Sequence, residues 1–340
     1  MHPKRRGNPP PLFGVSLRGN KAVVTNVFRG YCFVPEPKDY STRRHFDAVL
    51  QNSLPYILAG ISVGGQYALI AIGYTMVYGI LRLINFAHGD VFMAAGMFMV
   101  FLSASLPTGV AIPLVLIITV LLGFLIERVA YKPLRSAPRM SVMISAIGVS
   151  YLIQNCALYF TGGLAKVYPQ LPWLSDTVSI LGAVTKRVTL VTPVLTIILV
   201  VALSLFIKYT KLGMAMRAVS KDFETARLMG IKVNTIISTT FVIGSLLAAV
   251  GSLLYFTNYA SVTPTSGGMP GLKCFVAAVF GGIGSIPGAV IGAFIIGIAE
   301  NIIKGLGWTT FSDAFTFALL IVILLVRPTG LFGEKATDKV

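Results

Sequence analysis

The chain has 340 residues, of which 55% are hydrophobic and 12% charged, and its mean hydropathy is +0.80. A soluble domain carries about 25% charged residues, so the composition excludes an ordinary soluble protein and indicates an integral membrane protein. The net charge of +16 does not indicate a nucleic-acid partner. The basic residues sit in loops and ends between apolar runs, where they set orientation and meet anionic lipid headgroups.

Residues 1–46 differ from everything after them. Pro9, Pro10, Pro11, Pro35 and Pro37 alternate with Lys4, Arg5, Arg6, Arg18, Arg43 and Arg44, and no apolar run is long enough for a signal sequence. The segment reads as a disordered basic extension, or as one arising from a start site placed too far upstream. A transmembrane domain over 47–334 and a cytoplasmic tail over 335–340 are expected to follow. The fold class is all-α: a polytopic transmembrane helix bundle of about eight to nine membrane segments. Apolar segments are expected at 54–80, 90–106, 110–127, 142–161, 188–207, 235–257, 273–303 and 311–326.

The first segment contains Gln66, Tyr67, Tyr74, Thr75 and Tyr78, and the connection after it reads Asn85-Phe86-Ala87-His88-Gly89-Asp90. Such side chains are costly against lipid and should face the bundle interior or a pathway. Gly60 and Gly64 have the spacing that lets two helices approach closely. His88 and Asp90 read as a polar connection at a helix start, with Asp90 near the positive end of the helix that follows.

The stretch Thr161 to Arg187, with Tyr168, Pro169, Pro172 and Trp173, should face outward and supply an aromatic anchor. Counting spans from there places the start of segment 54–80 outside. That conflicts with the basic residues before it, which either counts against the extension being translocated or means that 54–80 does not cross simply.

The charged island Lys208 to Asn234 carries Lys208, Lys211, Arg217, Lys221, Arg227 and Lys232 against Asp222 and Glu224. Such an excess marks a cytoplasmic loop, on the same side as the basic loop Arg128 to Arg139. Within it, Asp222 to Met229 is predicted to be a short helix. Asp222 and Glu224 occupy its first turn, and Gly230 closes it. The alternatives are a docking element and an ordinary solvated loop.

Segment 273–303 is too long for one straight helix, and Gly281, Gly282, Gly284, Ser285, Pro287 and Gly288 interrupt it. We expect a short half-membrane helix from Lys273 and then a span from Ala289 to Glu300. The interruption is either a re-entrant element near a translocation path or a site of close packing, with Gly284, Gly288 and Gly292 in one small-residue row. Glu300 and Lys304 have the spacing of a helical ion pair.

Four blocks in order carry a family resemblance: Gly64 to Asp90, the loop at Glu224, the Gly281–Gly288 break, and the ending Leu325-Val326-Arg327-Pro328-Thr329-Gly330-Leu331. Together they resemble the smaller permease of the high-affinity branched-chain amino acid ABC importers, the LivH type, over residues 48 to 334. Glu224, Ala226 and Gly230, with Thr225 between the first two, resemble the Glu-Ala-Ala-x-x-x-Gly loop that seats the ATPase subunit. The resemblance implies four kinds of partner: a second, LivM-like permease, two ABC ATPase subunits, an extracytoplasmic solute-binding protein and membrane lipid. It implies alternating access as the mechanism and the inner membrane as the location. It implies no cofactor in this chain, ATP being bound by the partner subunits.

Catalytic and metal motifs are lacking. No phosphate-binding Gly-x-x-x-x-Gly-Lys-Ser/Thr loop occurs, and His2, His45 and His88 form no metal pattern. Three cysteines far apart match no ligand spacing. A transporter subunit is expected, not an enzyme. The rival readings are a stand-alone channel or facilitator, which also uses interrupted helices, and a permease of the same superfamily for urea, amides, sugars or nucleosides.

Overall fold

A computed structural model describes residues 38–135, 137–180 and 183–333, and for 38–52, 180 and 183 the backbone alone. The chain divides into two units, Met1–Asp47 and Ala48–Val340. Of the extension 1–46, residues 1–37 lie outside the described residues and 38–46 have helical backbone. The tail 335–340 also lies outside the described residues.

Among the described residues, twelve α-helices carry the fold. They are α1 (Lys38–Leu81), α2 (His88–Ser103), α3 (Thr108–Ile126), α4 (Arg139–Thr161), α5 (Pro172–Ser175), α6 (Arg187–Tyr209), α7 (Lys211–Lys221), α8 (Phe223–Leu228), α9 (Val233–Asn258), α10 (Gly268–Gly281), α11 (Ile286–Gly305) and α12 (Ser312–Val326). Seven helical stretches among the described residues are long and apolar enough to cross a membrane, and α2 and α10 are shorter apolar helices. The expected eight to nine membrane segments are therefore present. Segment 90–106 is corrected from a full span to a short one. The 16 residues of α2 rise about 24 Å, less than the hydrocarbon thickness.

The all-α class holds; among the described residues four short strands accompany the helices: β1 (Lys166–Val167), β2 (Thr177–Ile180), β3 (Ala183–Lys186) and β4 (Ser261–Val262). β1 pairs with β4 and β2 with β3, both antiparallel. The β1–β4 pair ties the α4–α6 connection to the one between α9 and α10, and β2–β3 is a hairpin within the former. In that region Tyr168 is buried and its ring lies 5.8 Å from that of Phe256, so it is a core residue and not an interfacial anchor. Trp173, 64% exposed, keeps that assignment.

Burial is uneven. The stretch 53–81 of α1 and helix α9 are largely enclosed, whereas α4, α6 and α12 bury few of their residues. The core helices touch through glycines. A Cβ on Gly60 or Gly64 would fall 2.8 Å from the α11 backbone, and one on Gly297 2.4 Å from Gly64. These contacts run antiparallel, Gly60 against Ile298 and Gly64 against Phe294, with Tyr56 against Gly305. Backbones this close replace the hydrophobic drive that helices lack in lipid.

Leu81, Leu83, Arg135, Glu224 and Asn234 surround one cavity, so the end of α1 and both basic loops share a face. The basic excess makes that face cytoplasmic. The Tyr56 end of α1 then lies at the opposite face, and 29 residues span about 43 Å. Segment 54–80 crosses simply, which removes that way out of the charge conflict.

Candidate functional site

Helix α8 is built by its own sequence. Asp222 caps it, its carboxylate accepting from the Glu224 amide at 3.0 Å and from the Thr225 hydroxyl at 2.6 Å. At the other end Gly230 has φ +81. The Ile231 amide donates to Ala226 O at 3.1 Å and the Gly230 amide to Arg227 O at 3.0 Å, the two bonds of a Schellman motif. The predicted bounds hold to within a residue at each end. Ala226, 3% exposed, turns inward against the bundle, while Leu228 and Met229 stand 87% and 78% exposed. Glu224, Thr225 and Gly230 are exposed beside them. Large apolar side chains presented to water on a charged face mark an interaction surface.

A polar latch lies behind α8. After α3 the chain makes a π-helical turn, Glu127–Tyr131, a rare irregularity that concentrates at functional sites. Glu127 is fully buried, accepting from the Ser238 hydroxyl at 2.7 Å and pairing with the Arg135 guanidinium. Arg135 also donates to the Asn234 side chain. Burial draws the Arg135 guanidinium below its ordinary value, against the pull of the Glu127 carboxylate. On the same π-helical turn, Tyr131 donates to the Asn85 side chain at 2.7 Å. The first two turns of α9 are thus tied to the π-helical turn, which is itself tied to the α1–α2 connection. Sequence reading missed Glu127, Arg135, Asn234 and Ser238. The signal was a carboxylate at the inner margin of an apolar run, where charge is costly unless paired.

The polar residues of α1 are inside the bundle. Gln66, Tyr67, Tyr74 and Thr75 are buried, Asn85 likewise, and Tyr78 is half-buried. Tyr67 donates to Glu300 at 3.0 Å, and Gln66 donates to Leu254 O at 3.4 Å. The Tyr74 ring meets His88 edge-on at 4.9 Å. The void beside Tyr74 and Tyr78 holds about 10 Å³, barely one water, so no solute passes there in this conformation. Asp90 is buried between α2 and α4, accepting from Ser150 at 2.5 Å and Gln154 at 2.9 Å.

A second buried network joins three helices. Lys273 on α10 pairs with Glu300 on α11 at 2.8 Å and with Asp313 on α12 at 2.6 Å, and Lys304 reaches Glu300 at 2.6 Å. The expected Glu300–Lys304 pair is present. Lys273 and Asp313 were not anticipated as its partners, because they come from separate spans.

The glycine break is a tight turn between antiparallel α10 and α11. It spans Gly282 to Ser285, so α10 starts five residues before Lys273 and α11 three before Ala289. Gly282 and Gly284 have φ +109 and +99. Ser285 caps α11 by accepting from the Gly288 amide at 3.2 Å, and Pro287 occupies the first turn, exposed. Gly281 and Gly288 are in backbone contact, and Leu331 and Phe332 donate their amides to Phe280 O and Gly281 O at 3.0 and 2.9 Å. The row Gly284, Gly288, Gly292 is corrected. Gly284 is exposed with nothing near its Cβ position, and the glycines in contact are Gly281, Gly288 and Gly292.

The structure is a multi-pass membrane bundle with a capped cytoplasmic helix that presents bare apolar side chains. The profile of the branched-chain amino acid transport system permease component matches residues 56–324. The high-affinity branched-chain amino acid transport system permease protein BraD of Pseudomonas aeruginosa is 40% identical over 301 residues, covering 84% of this chain and 98% of its own. The permease protein LivH of Escherichia coli is 41% identical over 300 residues, covering 84% and 97%. The ribose import permease protein RbsC of Haemophilus influenzae is 26% identical over 279 residues, covering 79% and 83%. The chain belongs to the family of branched-chain amino acid transport permease components.

Proposed function

We propose that this chain is a permease subunit of an ATP-driven importer of branched-chain amino acids in the inner membrane. Its partners are a second, LivM-like permease, two ATPase subunits that bind the ATP, and an extracytoplasmic solute-binding protein. The observation that carries this reading is α8: a helix capped at both ends, seated by Ala226 and exposing Leu228 and Met229 beside Glu224 and Thr225. The likeness to BraD and LivH supports the solute class, at 40% and 41% identity against 26% for the ribose permease.

In this reading ATP closes the two ATPase subunits and α8 moves with them. Gly230 passes the motion to α9, and the Glu127–Arg135–Ser238 latch carries it into α3. The solute passes between the two permeases. The close packing around Gln66, Tyr67 and Tyr74 supports a path outside the single subunit.

The test is co-purification of the ATPase subunits with the permease. Leu228→Asp together with Met229→Asp should abolish it while the permease still inserts. Undiminished co-purification would remove α8 as the seat.

A further inference from the structure

The cavity behind α8 has a volume of about 310 Å³, at the lower end of the range for small-molecule sites. Its apolar wall is Leu81, Leu83, Val142, Val233 and Ile237. Its polar wall is Arg135, Asn234, Glu224 and Arg227. Glu224 and Arg227 lie three apart on α8, yet neither has an ion-pair partner among the described residues. Arg135 lines the cavity although its Nε–H is closed off from it; its two outer nitrogens already donate to Asn234 and Glu127, and each keeps a second N–H. A carboxylate is the acceptor that an arginine fits best.

We propose that this cavity binds a small zwitterion with an aliphatic side chain from the cytoplasmic side, and that its occupancy slows transport. Arg135 and Arg227 take the carboxylate, Glu224 the ammonium, and the leucine, valine and isoleucine wall the side chain. This is the chemical class of the imported solute. The site therefore gives the importer a measure of the internal pool. The ligand bridges α8 to Asn234 and to Arg135, so it holds α8 against the bundle and opposes the movement that transport requires. The inference rests on the reading of α8 as the ATPase seat.

The probe is L-leucine. The full complex is reconstituted in vesicles with ATP in the lumen, where the cytoplasmic face points, and the lumen is loaded with L-leucine or, as control, L-aspartate. Lumenal L-leucine should lower the initial uptake rate about fivefold or more, the lower range of ordinary coupling between sites. Val142→Trp fills the cavity and should keep uptake while removing that sensitivity. Leu83→Trp fills it from the other side and serves if Val142→Trp does not accumulate. Equal uptake with both loads would overturn the proposal, as would inhibition that persists in both filled variants. Equilibrium dialysis of labelled L-leucine against the complex without binding protein separates this from the function itself. If wild type shows no ATP-dependent uptake, the functional reading fails, and dialysis still decides the cavity. Binding lost in the filled variants supports the site, and no binding by the complex sinks it. Binding by the permease that disappears once the ATPases are attached would assign the cavity to an ATPase side chain and overturn the proposal.

Discussion

The Ser238 hydroxyl donates to the buried Glu127 carboxylate at 2.7 Å, across 111 positions of sequence. This one bond joins the helix that follows α8 to the irregular end of α3. Glu127→Ala would leave the Arg135 charge without its partner, but Arg135 is 19% exposed, so the loss falls below the ~3–5 kcal/mol of a fully buried pair. Thermal unfolding of the purified permease should show a clear fall in Tm. Glu127→Gln keeps an acceptor for Ser238 and should fall less. Equal Tm values for Glu127→Ala and wild type would show that the latch does not stabilise the cytoplasmic end.

Gly230 separates the local role of the α8 turn from crowding. Its φ is +81, and a Cβ there meets nothing within 4 Å, so backbone strain is the whole penalty. Gly230→Val should strain the Schellman turn by about 1–2 kcal/mol or more, because a β-branched residue is poorly tolerated at positive φ. Uptake should collapse although the protein inserts. Gly230→Asn, which tolerates that conformation, should transport at close to the wild-type rate. Parallel assays of insertion and uptake check both, and normal uptake by Gly230→Val would detach the turn from coupling.

The family and the apolar helices are legible in the sequence because they rest on local patterns. Apolar length sets the spans, and Asp222 with Gly230 sets the bounds of α8. The wrong or missed assignments depend on which spans become neighbours. Tyr168 looks like an interfacial anchor until β1 pairs with β4 and seats its ring on Phe256. Gly284 has the spacing of a packing glycine, but a turn puts it in the open. Lys273 finds Asp313 only because α10 and α12 pack together.

The glycine turn predicts a graded series. A Cβ on Gly282 would lie 2.3 Å from the Gly333 amide nitrogen, and φ +109 adds strain, so Gly282→Leu should fail to accumulate. Gly284→Leu carries strain at φ +99 but no collision, so it should accumulate at a reduced level. Val322→Leu, at a 58% exposed position that meets lipid, should match wild type. Immunoblots of membranes rank the three, and equal levels would contradict the close turn.

The Lys273 network predicts an asymmetry. Glu300 serves Lys273, Lys304 and Tyr67, so Glu300→Ala leaves two ammonium groups without that carboxylate. Lys273→Met leaves Glu300 still paired with Lys304. Glu300→Ala should therefore lower Tm more than Lys273→Met, both measured in detergent. The reverse order would show that Asp313 is the partner that matters.

As the proposed importer subunit, this chain moves branched-chain amino acids only when ATPases drive it. The direct measurement is labelled leucine uptake into vesicles holding both permeases and the ATPases, with and without lumenal ATP and external binding protein. Leucine should accumulate against a gradient, and only with both ATP and the binding protein present. Leucine flux through vesicles holding this chain alone, indifferent to ATP, would contradict it and establish a facilitator.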